Sequence, residues 1–172
     1  EETRTLTAKF LNAREKEIVF TKGASNGLNM VALGFGMDYI QEGDEIITTE
    51  LEHHSNVLPW MNVAKKKNAT LKYIELDSTG RITVEAFKKT ITEKSKVLAI
   101  TYVSNVMGYI TPIKEIIKIA HEHNIIVVVD AAQAVPHMKV DVQDLDCDFL
   151  AFSAHKMFGP TGFGILFGKY KY

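Results

Sequence analysis

A single cysteine, Cys147, stands among 172 residues. No internal disulfide framework can form from it, and it points to a reducing, cytosol-like setting. Long hydrophobic runs are missing as well. The longest strictly aliphatic stretch is Ile125–Val129, far short of the ~20 apolar residues that a spanning helix needs. Neither sign of charge is in excess, with 20 Lys+Arg against 21 Asp+Glu and a formal net charge of −1. The chain therefore carries no broad electrostatic footprint for nucleic acid or membrane. The first residues show no signal-peptide pattern, there is no repeat or low-complexity tract, and the only charge run is Lys65-Lys66-Lys67.

What remains is the composition of an ordinary folded chain, 46% hydrophobic and 24% charged. At roughly 150 residues per domain the length fits one domain. The chain opens at Glu1 without a methionine and stops at Tyr172 directly after a strand-like run. One large domain, cut at both ends, is the expected organisation.

Short apolar runs alternate with helical stretches. Segments 17–21, 45–49, 71–76, 97–103, 125–129, 148–153 and 163–167 read as seven strands, several of them apolar on both faces, as buried parallel strands are. Thr111-Pro112 reads as N-cap and first helical residue, followed by Ile113, Ile116, Ile117 and Ala120 at helical spacing and Asn124 at the C-cap. Segments 25–40, 56–67 and 84–91 are further helices. This alternation predicts an α/β fold, three layers deep, with a mostly parallel sheet flanked by helices. Ligands of such sheets bind beyond the carboxyl ends of the strands.

Chemistry-bearing residues fall at those ends. The first strand runs into Lys22-Gly23-Ala24-Ser25-Asn26-Gly27, where glycines allow close backbone approach and a helix start attracts an anion. The loop has no Walker A or full G-x-G-x-x-G pattern, so a nucleotide is not favoured, and a plain capped turn is an equal reading. The fifth strand ends in Asp130, a carboxylate desolvated unless a cation such as a protonated ring nitrogen sits against it. Gln133 follows with a donor and an acceptor. The sixth strand ends Ser153-Ala154-His155-Lys156. A lysine in that place is expected to be poorly solvated and a good nucleophile toward a carbonyl.

The second strand leads to His53-His54, and the fourth to Asn105. As neighbours on a strand the two histidines would point to opposite faces, so one of them can stack on a planar ligand. His121 and His123 do not share a helix face, and Cys147 is solitary, so no metal is expected. An anion loop, a histidine, a buried Asp, a Gln and a nucleophilic Lys at one sheet edge suit a planar, phosphorylated aldehyde with a protonatable ring nitrogen. Pyridoxal 5′-phosphate has those features.

The stretches FTKGASNGLN, GDEIITTELEHHSNVLPW, ITYVSNVMGYITPIKEI and VVVDAAQAVPHMKVDVQDLDCDFLAFSAHKMFGPTGFGILFGK resemble the class V aminotransferase-like family of fold-type-I transferases. They are most similar to its group II cysteine desulfurases. The resemblance covers the chain from about Thr3 onward. It implies that Lys156 carries the cofactor, Asp130 pairs with the pyridine nitrogen, and Gln133 bonds the phenolic oxygen. By the same resemblance His53 stacks on the ring and shuttles protons, Asn105 contacts substrate or cofactor, and Ser25, Ser153, His155 and the backbone of Ala24 hold the phosphate. Family members commonly carry two threonines at positions 24 and 25 and an acidic residue at 26, so Ala24 contributes its backbone alone.

The resemblance further implies L-cysteine as substrate, with L-selenocysteine or a related lyase reaction as the alternative. L-Alanine and an enzyme persulfide would be the products, a sulfur-acceptor protein in iron–sulfur cluster assembly the destination, and a cytoplasmic homodimer the assembly. Family enzymes are more than twice this length. Their persulfide-forming cysteine, carboxylate-gripping arginine and small C-terminal domain lie beyond position 172, so a catalytically incomplete segment is a third expectation. Cys147, between Asp146 and Asp148, is expected to be structural.

Overall fold

The computed structural model describes residues 1–172. Its elements, in chain order, are α1 (Glu2–Leu11), β1 (Ile18–Thr21), α2 (Ala24–Met30), α3 (Met37–Tyr39), β2 (Glu45–Thr49), α4 (His54–Lys67), β3 (Thr70–Ile74), α5 (Val84–Thr90), β4 (Ser95–Thr101), α6 (Ile113–Glu122), β5 (Ile126–Asp130), α7 (Val142–Leu145), β6 (Phe149–Ser153) and β7 (Gly164–Gly168). No helix is long and apolar enough to cross a membrane.

The seven strands form one sheet in the order β1-β7-β6-β5-β4-β2-β3. Strands β6, β5, β4, β2 and β3 run parallel, and β7 runs antiparallel to both β6 and β1. Two reversals restore the direction. β1 is therefore parallel to β6, and their carboxyl ends share one edge.

Side chains alternate across the strands, so each strand feeds two cores. Ile47, Leu98, Ile100, Val127, Val129, Leu150 and Phe152 pack with α1, α5, α6 and α7 on one face. Ile46, Val97, Ala99, Ile126, Val128 and Ala151 pack with α2 and α4 on the other. The expected α/β/α layering and mostly parallel seven-stranded sheet are thus what the chain forms.

Several boundaries differ from the sequence reading. Glu17 lies in a short 3-10 turn ahead of β1, buried and paired with Arg14, rather than on the strand. The expected helix over 25–40 contains a wider π turn at Val31–Gly36, where Gly36 lies against Trp60: a Cβ there would meet the indole at 2.6 Å. Helices α1 and α7 were not foreseen, because each buries only two residues and so shows little periodicity. At α6 the N-cap is Pro112 rather than Thr111, and Thr111 is buried with an unpartnered hydroxyl. Asn124 does take the left-handed conformation (φ 57°) that closes the helix.

At the amino edge of the sheet, Asp148 is 1% exposed and accepts from His121 Nε2 at 2.8 Å and from the Val127 N–H at 2.9 Å, with Lys169 alongside. Burial opposes its charge, but the His121 bond, the Val127 N–H and Lys169 outweigh that and hold its pKa below the ordinary carboxylate value. Stability from this group is present above the unfolded-state value and is lost as pH falls through the lower folded value. Asp148→Asn should cost about 3 kcal/mol at pH 7 in chemical denaturation, the usual loss on breaking a buried pair. The gap between variant and wild type should close as pH falls below about 3.9.

Candidate active site

Every carboxyl end of a strand that the sequence marked opens onto one cavity of about 200 Å³. Ala24, Ser25, His53, Asn105, Asp130, Gln133, Ser153, His155 and Lys156 all line it. Ser55, Thr101, Val103 and Ala132 line it too and were not singled out from the sequence. Thr101 and Val103 escaped notice because they read as ordinary members of an apolar strand.

The anion loop is built where β1 meets β7. Gly23 has φ 142°, a backbone conformation that L side chains rarely adopt. Ser153 Oγ, buried at the end of β6, accepts the Ala24 N–H at 2.7 Å, so the loop and the lysine-bearing strand are tied directly. The first backbone bond of α2 runs from the Gly27 N–H to the Gly23 carbonyl. The N–H groups of Ser25 and Asn26 therefore precede the ladder. Asn26 folds back to accept the Lys22 N–H at 3.1 Å, a role in shaping the loop.

Asp130 is 6% exposed at the end of β5. Its Oδ1 accepts the Ala132 N–H at 2.9 Å, and no donor of the chain takes Oδ2. Burial pushes its pKa up, against the Ala132 bond and the nearby charges of Lys156 and His53. That is the uncompensated carboxylate the sequence suggested.

Three site residues, Lys156, His155 and His53, stand differently from expectation. Lys156 and His155 are exposed and belong to a 3-10 turn at Ala154–Met157, so the amine is not a desolvated one at the end of an apolar strand. The chain turns out of the sheet at Ser153 and carries Lys156 over the cavity instead. His53 and His54 are not on a strand either: His53 is the N-cap of α4 and His54 its first residue. The Ser55 N–H donates to His53 Nδ1 at 3.2 Å, which leaves Nε2 as the free nitrogen of the ring.

Cys147 precedes β6, at the opposite edge of the sheet from the cavity, and is fully buried. Burial, with the charge of Asp148, pushes its thiol well above the usual cysteine range. It is a packing residue.

A mostly parallel sheet that gathers a lysine, a buried aspartate and a helix-start anion loop at its carboxyl edge defines an α/β protein with a ligand site where such sheets place one. The sequence model of the aminotransferase class-V family matches residues 1–172, and the chain belongs to that family. Among curated relatives, a probable cysteine desulfurase of Halalkalibacterium halodurans is 52% identical over 170 residues, which is 98% of this chain and 42% of that protein. One from Staphylococcus aureus is 49% identical, over 98% of this chain and 41% of its own length. The chain thus spans about two fifths of the relatives it matches.

Solved structures agree. The cysteine desulfurase CsdA of Escherichia coli superposes with a TM-score of 0.95 at 41% identity, over 98% of this chain and 42% of its own. The apo cysteine desulfurase of Thermococcus onnurineus NA1 gives 0.94 at 44% identity, over 99% and 42%.

Proposed function

We propose that the cavity holds pyridoxal 5′-phosphate and that the protein carrying this chain is a cysteine desulfurase. In this reading residues 1–172 are the cofactor-binding large domain, and the reaction takes sulfur from L-cysteine and leaves L-alanine. The observation that supports it most is the placing of a buried, uncompensated carboxylate (Asp130), a primary amine (Lys156) and unladdered helix-start N–H groups around one cavity. The donor set fits the cofactor: a carboxylate for a ring N–H, an amine for an aldehyde, hydroxyls and N–H groups for a phosphate.

When bound, the cofactor supplies a carbonyl for the substrate amine and a protonated ring that withdraws electrons from the substrate carbon. This chain's residues do the rest. Asp130 holds the proton on the ring nitrogen, and Gln133 orients the ring through its phenolic oxygen. His53 packs on the ring, with Nε2 free to move a proton. Ser25, Ser153, His155 and the helix-start N–H groups of Ser25 and Asn26 would bind the phosphate, with the Ala24 N–H holding Ser153 Oγ in place, and Asn105 would meet the substrate side. Lys156 would hold the cofactor's aldehyde, and its amine would be the base for the proton on Cα.

The thiol that accepts the sulfur is not Cys147, which lies buried at the far edge. We assign that thiol and the arginine for the substrate carboxylate to residues outside 1–172. The same placement supports catalytic incompleteness of these residues alone. A cytoplasmic homodimer is the proposed assembly, with Phe158, Val106 and Ile110 exposed on segments that follow the site strands. A protein acceptor feeding iron–sulfur assembly is the proposed destination of the sulfur. L-Selenocysteine offers the same residues a weaker carbon–chalcogen bond.

Titration with pyridoxal 5′-phosphate should produce the visible absorption of a lysine-bound cofactor in wild type and none in Lys156→Ala. A band unchanged in the variant overturns the assignment. Alanine release from cysteine and selenocysteine by the full-length protein separates the two substrates.

A further inference from the structure

Glu52 is 9% exposed and stands directly behind the cavity. Donors from three elements converge on its carboxyl. The Thr49 hydroxyl of β2 and the Thr101 N–H of β4 reach Oε1 at 2.9 and 2.8 Å, and Asn56 Nδ2 of α4 reaches Oε2 at 2.6 Å. Thr101 lines the cavity and is the register partner of Asp130. His53 is the next residue in the chain and caps α4.

The geometry points to Glu52 as a positioning residue that acts through Asp130 and His53, fastening the end of β2, the start of α4 and the end of β4 into one frame. The assignment rests on the cofactor reading above. It also gives the frame a charge state. Burial pushes Glu52 up to about 8, the charge of Asp130 adds to this, and the three donors oppose it. Glu52 therefore holds a proton at neutral pH.

Asn56 Oδ1 is buried without a partner. With the amide turned end for end this oxygen would accept from a protonated Oε2, and only Thr49 and Thr101 would then remain as donors to the carboxyl. The charged groups close enough to act on Glu52 and Asp130 are each other, together with Tyr109 near Glu52 and Lys156 and His53 near Asp130. A neutral Glu52 leaves Asp130 as the single negative charge at the ring position. An ionised Glu52 places a second one behind it, which two buried carboxylates resist. The folded pKa is raised, so folded-state stability falls as pH rises from the ordinary glutamate value through about 8.

The test compares wild type with Glu52→Gln, which keeps the shape and donates toward Asn56 as the protonated acid does, and with Glu52→Ala, which removes the ties. In the cofactor-free protein the side-chain carboxyl resonance of Asp130 is followed against pH. Wild type should show a second inflection near pH 8, and Glu52→Gln should lack it. Persistence of that inflection in Glu52→Gln overturns the coupling, and this comparison stands even if the alanine variant does not fold. Amide exchange at Thr101 should be unchanged in Glu52→Gln and about tenfold faster in Glu52→Ala, as for one lost hydrogen bond. Equal exchange in all three overturns the fastening.

With pyridoxal 5′-phosphate added, its apparent Kd should rise above pH 8 in wild type and stay level in Glu52→Gln. A wild type that shows the inflection but takes up no cofactor sinks the cofactor reading, and with it the role given to Glu52. A wild type that binds cofactor with the same pH profile as Glu52→Gln sinks that role alone.

Discussion

Asp130→Asn should lower turnover of the full-length protein about a hundredfold to a thousandfold, the usual cost of deleting one preorganised charge in a dry site. Asparagine keeps the shape and can still accept the Ala132 N–H. It cannot hold a proton on a ring nitrogen by charge. The loss should therefore appear in kcat, with cofactor content nearly unchanged. The same variant should be slightly more stable than wild type without cofactor. The folded pKa of Asp130 is raised by burial, so ionised Asp130 destabilises the fold once pH exceeds the ordinary aspartate value. Thermal unfolding of both proteins at pH 5 and pH 8 checks this: the difference should widen toward pH 8. A variant with full kcat removes Asp130 from the chemistry.

Gly164→Ala should be the most damaging small change. A Cβ at this position would lie 2.5 Å from the Gly23 Cα and 2.7 Å from the Phe152 carbonyl oxygen, both backbone atoms with no rotamer to yield. Overpacking of this kind costs about 1–3 kcal/mol, and here the displaced backbone is the anion loop. The melting temperature should fall, and the apparent Kd for pyridoxal 5′-phosphate should rise by roughly two orders of magnitude, about 2.7 kcal/mol. Gly34→Ala makes a fair control, since a Cβ there meets nothing within 4 Å. Equal behaviour of the two variants would mean that the β1–β7 contact does not shape the loop.

Much of this was legible in the residues. Strand runs such as Ile126–Asp130 and Phe149–Ser153 are apolar on both faces because both faces are covered, and that pattern alone announces a parallel sheet with helices on each side. The lining of the cavity could be read because strand ends in such a sheet share an edge. What could not be read has physical causes. The direction of β7 depends on a short return from β6, which periodicity does not encode. The apolar strand before Lys156 suggests a desolvated amine, yet the 3-10 turn after Ser153 carries it into solvent. Glu52 hid for a different reason. Glu50 and Glu52 look alike in Thr49-Glu50-Leu51-Glu52, and only the convergence of Thr49, Asn56 and Thr101 marks one of them as buried.

The placing of β7 between β1 and β6 also makes one contact of the sheet far more distant in sequence than the others. β1 has no partner in the sheet except β7. β1 must find that partner across nearly the whole of residues 1–172, at a loop-closure cost that grows with the separation. Without Gly164–Gly168 in place β1 has no backbone partner in the sheet, and an unpaired strand edge is open to mispairing. The five strands from β2 to β6 pair across shorter separations, and their carboxyl ends carry Asp130 and lead to His53. The phosphate end of the cavity therefore hangs on the most distant pairing of the sheet.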